Sequence, residues 1–152
     1  MKRLVLAALV LAMACGGDGN SSTGPKSSGG VTATIDGTAF SADLAVQATR
    51  AGNVLAFGAV SGNSRQLNFS LVNVTAAGTI PVGTGTGAHT ITYTEGTKAW
   101  VTSMVGGSGS VVITTLTANR AVGTFSFTAI PSTNTGAAGN KAVTAGSFDV
   151  KF

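Results

Sequence analysis

The stretch Gly123-Thr124-Phe125-Ser126-Phe127-Thr128-Ala129 decides the fold. Large apolar side chains alternate with small hydroxyls, and a period of two belongs to an extended strand whose side chains point to opposite faces. Phe125 and Phe127 share one face; Thr124, Ser126 and Thr128 share the other. One side of this strand is therefore predicted to cover a core and the other to meet water.

Outward from it the same alternation recurs in short runs bounded by Gly, Asn, Asp and Ser. Strands are predicted at residues 31–36, 38–42, 44–50, 54–61, 66–74, 89–94, 98–105, 110–117, 121–130 and 142–152. Asp36-Gly37, Ala51-Gly52-Asn53, Gly62-Asn63-Ser64 and Ala118-Asn119-Arg120 are short polar breaks that suit tight turns between antiparallel neighbours. The predicted core is Leu55, Phe57, Leu67, Phe69, Leu71, Ile91, Tyr93, Val111, Ile113, Phe125, Phe127, Phe148, Val150 and Phe152. The fold class is all-β, an antiparallel meander of about eight to ten strands forming a sandwich or a closed barrel. A terminal aromatic such as Phe152 also ends many outer-membrane barrels, but aromatics are only 6% of the chain, too few for the girdles of such a barrel. Phe152 is read as part of a last strand that closes the fold.

Composition agrees with strands and turns. Among 152 residues there are 22 Gly, and charged residues are only 9%, against roughly a quarter in ordinary domains. Arg50, Arg65, Arg120, Lys98, Lys141 and Lys151 are scattered singly, without the basic clustering that a nucleic-acid partner requires.

The N-terminus carries an address. Met1-Lys2-Arg3 is a positive start, residues 4–14 (LVLAALVLAMA) form an unbroken apolar run, and Ala12-Met13-Ala14 supplies small residues for cleavage. As a helix that run is about 16 Å long, against about 30 Å of hydrocarbon to be crossed. It is an export signal, not a spanning segment. Leu11-Ala12-Met13-Ala14-Cys15-Gly16 resembles the lipobox of bacterial lipoproteins, with Ala12 at the place usually held by Leu. Such a motif implies lipidation of Cys15 and cleavage before it. The alternative is an ordinary secretory cut that leaves a free thiol. Cys15 is the sole cysteine of the chain, and lipidation explains both its solitude and its position.

Residues 16–30 (GGDGNSSTGPKSSGG) hold no apolar side chain and are expected to form a flexible tether. The organisation is thus a signal peptide at 1–14, a lipidated cysteine with its tether at 15–30, and a single all-β domain at 31–152. Loss of Lys2 and Arg3 leaves seven basic residues against five acidic, a net charge near +2 that points to no partner class. Asp18, three places after the cysteine, leans the expected location to the outer rather than the inner membrane.

Reactive side chains are scarce. His89, Glu95, Asp36, Asp43 and Asp149 are the domain's stock for acid–base or metal chemistry, short of the three or four ligands a zinc site wants. No cofactor, no metal and no catalytic residue is assigned. The run Gly83-Thr84-Gly85-Thr86-Gly87 lacks the ending and the following helix of a phosphate loop, and Gly106-Gly107-Ser108-Gly109-Ser110 has the wrong register for a nucleophile elbow. Tyr93 and Trp100 are read as core, with a role in contacting a ligand as the alternative.

Three segments resemble a domain-of-unknown-function family of bacterial lipoproteins built from β-strands: Thr34-Ile35-Asp36-Gly37-Thr38, residues 123–129, and Gly146-Ser147-Phe148-Asp149-Val150-Lys151-Phe152. The resemblance spans most of the domain and implies a β-fold and an envelope location, with no activity and no site residue. The expectation is a non-catalytic lipoprotein, anchored to the membrane through Cys15, whose domain is a structural or binding module. A lipocalin-like or glycan-binding barrel is the alternative, and an envelope hydrolase a more distant one.

Overall fold

A computed structural model describes residues 29–62 and 64–152. The expected signal stretch, Cys15 and the expected tether up to residue 28 lie outside the described residues, as does Asn63. The strands run β1 (Val31–Ile35), β2 (Thr38–Ser41), β3 (Ala45–Ala51), β4 (Val54–Ser61), β5 (Arg65–Leu71), β6 (Gly78–Gly83), β7 (Thr90–Glu95), β8 (Lys98–Thr102), β9 (Ser108–Leu116), β10 (Arg120–Pro131) and β11 (Lys141–Lys151).

All pairings are antiparallel, and they join eleven strands into one sheet curled as a half-barrel. Its main path is β2-β1-β11-β10-β8-β7-β5-β4-β3, with β9 on β10 and β6 on β9 as a branch. The long strand β10 makes the branch. It pairs with β9 from Ala121 to Thr128, and its last residues Ile130 and Pro131 pair with Val101 and Trp100 of β8. The β3–β4–β5–β7–β8 half is thereby hung on the end of β10 and folds back over the β1–β11–β10–β9 half. The path ends on β2 and β3, which do not pair with each other, so the barrel is not closed by a ladder.

The foreseen alternation holds wherever a face is covered. In β4 and β5, Leu55, Phe57, Leu67, Phe69 and Leu71 are all buried. Phe57 stacks on Phe69 with ring centroids 4.3 Å apart, and across the fold Phe57 meets Phe148 at 4.8 Å while Phe69 meets Phe125 at 4.9 Å. The two halves thus close on an aromatic cluster, where offset and edge contacts add to simple burial. Phe152, expected in the core, is only partly buried and packs at its margin.

Two glycines make room for the rings. In the β10–β11 ladder Gly123 faces Phe148 and Phe125 faces Gly146. A Cβ on Gly146 would lie 2.3 Å from the Phe125 ring, and one on Gly123 would lie 2.6 Å from Phe148 Cζ. Each ring therefore lies across a residue that has no side chain to push it away. The β1–β2 hairpin turns as its Asp-Gly pair predicts, with Asp36 at φ 46° and Gly37 at φ 81°.

Two strands end earlier than expected and one strand was missed. The run expected at 66–74 stops at Leu71, and that expected at 98–105 stops at Thr102; β6 was not foreseen at all. Pro81 lies within β6 and interrupts the backbone donors, which a strand tolerates at a sheet edge. β6 pairs only with β9. Only Val82 and Gly83 of its residues are buried, so no alternation announces it.

Candidate functional site

The outer face of the β1–β11–β10–β9 half is built of small hydroxyls. Register sets Ser41, Thr32, Ser147, Thr124, Val112 and Thr79 side by side on successive strands. Ser126 and Ser110 form a neighbouring pair. The odd-numbered partners in β10 turn inward as Phe125 and Phe127, so their neighbours must turn outward. Shallow grooves of about 400 Å³ cross this face at Ser110, Thr124, Ser126 and Ser147, and again at Thr32, Thr114, Val122 and Asp149. The opposite half carries a groove of about 290 Å³ between Gln47 and Asn68, floored by Gly58.

Three hydroxyls of the larger face have bonds. Thr32 Oγ1 and Ser147 Oγ are 2.8 Å apart, and Thr114 donates to the Val122 carbonyl at 3.1 Å. Ion pairs flank the face. Arg120 grips Asp149 with Nε at 2.8 Å and Nη2 at 2.6 Å, and Lys141 lies 2.9 Å from Asp36. The bond from Lys141, helped by the Ala142 N–H, holds the Asp36 carboxyl below its usual range; the Arg120 fork does the same for Asp149. Between these pairs the described residues of the face offer donors, acceptors and methyl groups but no charge.

Each titratable group singled out from the sequence has its own structural partner. Asp36 accepts from the Ala142 N–H at 2.9 Å, and Asp43 accepts from the Gly62 N–H at 2.8 Å. Glu95 accepts from the Tyr93 hydroxyl at 3.4 Å and stands opposite Arg65. His89 accepts the Val72 N–H on Nδ1 at 3.3 Å, and burial pushes its pKa down. Among the described residues no three His, Cys, Asp or Glu side chains are grouped to hold a metal ion. Glu95 and His89 stand at opposite ends of β7 and are not brought together.

Tyr93 and Trp100 are cross-strand partners with rings 5.7 Å apart, 1% and 3% exposed. Burial, with the Glu95 charge, pushes the Tyr93 hydroxyl up to about 12. The Trp100 indole donates to the Gly139 carbonyl at 2.9 Å, and Lys141 Nζ sits 4.9 Å above its ring. Both rings are thus spent on packing inside the fold.

The arginines have a role that spacing alone did not suggest. Arg50 on β3 donates to the Thr117 and Val74 carbonyls, and Arg65 on β5 donates to the Ala39 carbonyl at 3.0 Å while lying over the Phe40 ring. Each ties the β3–β4–β5 side to a segment distant in sequence. In the sequence they appeared only as singly scattered basic residues.

No curated protein and no solved structure matches the chain. A family model does match residues 27–149, which include all of β1 to β10 and most of β11. The chain belongs to the family described as Domain of unknown function (DUF6252).

Proposed function

We propose that this chain is an exported lipoprotein, cut before Cys15 and held by lipid on that residue, preferably at the outer membrane, with its β-domain serving as a non-catalytic display or binding module. The observation that carries the non-catalytic part is the dispersal just described: His89, Glu95, Asp36, Asp43 and Asp149 are each committed to a different structural bond. Acid–base and nucleophilic catalysis require such groups to converge on one reacting atom. The anchor rests on the signal, the lipobox-like run and the solitary thiol. It is supported by where the tether would enter the fold. Asp149 N–H donates to the Gly30 carbonyl at 2.9 Å, and β1 then pairs on both edges, with β2 and β11. A pull on the tether would load two ladders in shear.

Labelling growing bacteria with radioactive palmitate tests the anchor. The wild-type chain is expected to take up label and to sediment with membranes, and Cys15→Ser to do neither. Equal labelling of the two would refute lipidation at that cysteine.

A second reading, a binder of neutral glycan, is favoured by the groove at Gln47, Gly58 and Asn68, where amide and hydroxyl groups line an uncharged surface. With the aromatic cluster filling the space between the two halves, such a ligand would lie on the outside. Titration of neutral envelope polysaccharides while following the Asn68 side-chain amide by NMR tests it, and an unmoved signal removes it.

A further inference from the structure

β5 and β7 pair directly, from Ser70 opposite Thr90 to Arg65 opposite Glu95. Between them the chain leaves that ladder for residues 72–89, an excursion that carries β6 across to β9. This strap is held by the β6–β9 ladder, by the buried Val74 and Val82, by backbone bonds from the Val74 N–H to the Asn53 carbonyl at 2.8 Å, from Thr84 to Gly107 at 3.1 Å and from Gly85 to Met104 at 3.3 Å, and by a bond at its base. There the Val72 N–H donates to His89 Nδ1 at 3.3 Å, which fixes the neutral ring with its proton on Nε2. His89 is 9% exposed, and Gly87 is folded so tightly over it that a Cβ there would lie 2.9 Å from Nε2.

We propose that the strap is an acid-released latch: protonation of His89 Nδ1 turns the acceptor at its base into a donor facing the Val72 N–H, the base opens, and β6 leaves β9. Among the described residues no carboxylate is at hand to stabilise the charged ring. Residues 72–88 hold no titratable side chain, nor do Ser70, Leu71 and Thr90 at the strand ends or residues 102–107 of the adjoining loop. The charged group that does reach the strap is Arg50, whose Nη2 lies 3.4 Å from the Val74 carbonyl. Burial already lowers the His89 pKa from its ordinary 6.5. Because the folded value is depressed, the latch is at full strength above pH 6.5 and weakens as pH falls below that value toward the folded one. Opening would bare the edge of β9 from Ser108 to Ile113, now covered by β6. An unpaired edge of that kind is a template for another strand.

Hydrogen exchange of the full chain at about pH 7.5 and about pH 5, corrected for intrinsic exchange, tests the latch. Amides of 72–89 and of the β6–β9 ladder are expected to exchange about tenfold faster at the lower pH, with β4, β5, β10 and β11 unchanged. His89→Asn, whose Oδ1 accepts like Nδ1 but does not titrate, is expected to abolish the difference. Equal corrected rates at the two pH values in the wild-type chain would overturn the latch whether or not the variant folds. So would acceleration spread evenly over all strands, or a pH response undiminished in a folded His89→Asn.

Discussion

The β10–β11 hairpin and the β6 strap lie on opposite edges of β9 yet are held by different physics. In the hairpin every second residue of β10 from Ala121 to Ala129 is buried, and Phe125 and Phe148 lie across Gly146 and Gly123. The strap has one ladder, a proline within it and an imidazole at its base. The hairpin's contacts are mutual, so disturbing one disturbs several. The strap gives the core only Val74 and Val82, with Ile80 at its margin, so its release would uncover those side chains while leaving the aromatic cluster paired.

The largest expected loss comes from emptying the cluster that both halves of the sheet share. Phe69 lies within 4.3 Å of the Phe57 ring centroid, 4.9 Å of Phe125 and 6.3 Å of Phe127. Phe69→Ala is expected to cost about 4 kcal/mol, read as a fall in the urea midpoint with the slope unchanged. A cost near 1 kcal/mol would mean that the two halves are stabilised separately and that the cluster does not unite them.

Next comes the ring-over-glycine arrangement. Gly146→Ala places a Cβ 2.3 Å from the Phe125 ring and 2.6 Å from the Phe125 carbonyl oxygen, so ring and ladder must both yield. The expected loss is about 2 kcal/mol, and Phe125→Leu in the same chain is expected to recover part of it, because the smaller side chain vacates the space. Failure of that rescue would assign the cost to the backbone contact instead.

How much of this was legible follows from the same contrast. Phe125, Phe127 and their hydroxyl neighbours announced a half-covered strand because burial on one face forces a period of two. The Asp36-Gly37 turn was readable because few residue pairs adopt positive φ cheaply. β6 left no such trace, since its exposure follows an edge and a proline rather than a face. Site residues were legible only in type. His89, Glu95 and the aspartates were visible as a short stock, but their separate commitments depend on pairings such as Asp36 with residue 142, which no local pattern encodes. The hydroxyl face was visible strand by strand, whereas its continuity across Thr32, Ser147 and Thr124 is a matter of register.

Val82 sharpens the comparison from the strap's side. It is 2% exposed near the end of β6 and belongs to the core cluster, so it is where the strap is tied to the rest of the fold. Val82→Ala is expected to lower global stability by about 1 kcal/mol, in the lower part of the range for deleted core methyls, while exchange of the strap amides rises by the larger factor. A loss equal to that of Phe69→Ala would mean the strap unfolds only together with the core.

The smallest effect is expected at the Asp36–Lys141 pair, which fastens the β1–β2 turn to the start of β11 and is partly open to solvent. Surface pairs of this kind contribute little, and Lys141→Met is expected to change stability near neutral pH by no more than about 0.5 kcal/mol. Its value lies in the pH profile. The Asp36 pKa is lowered from 3.8 by Lys141 and the Ala142 N–H, so its contribution is complete above pH 3.8 and is lost as pH falls through the folded value. Lys141→Met is therefore expected to flatten the acid limb of stability below about pH 4 while leaving the His89 window, which begins below pH 6.5, unchanged. Separate windows would establish that strap and hairpin respond to acid independently. A single window shifted by Lys141→Met would show that the hairpin end and the latch are one cooperative unit.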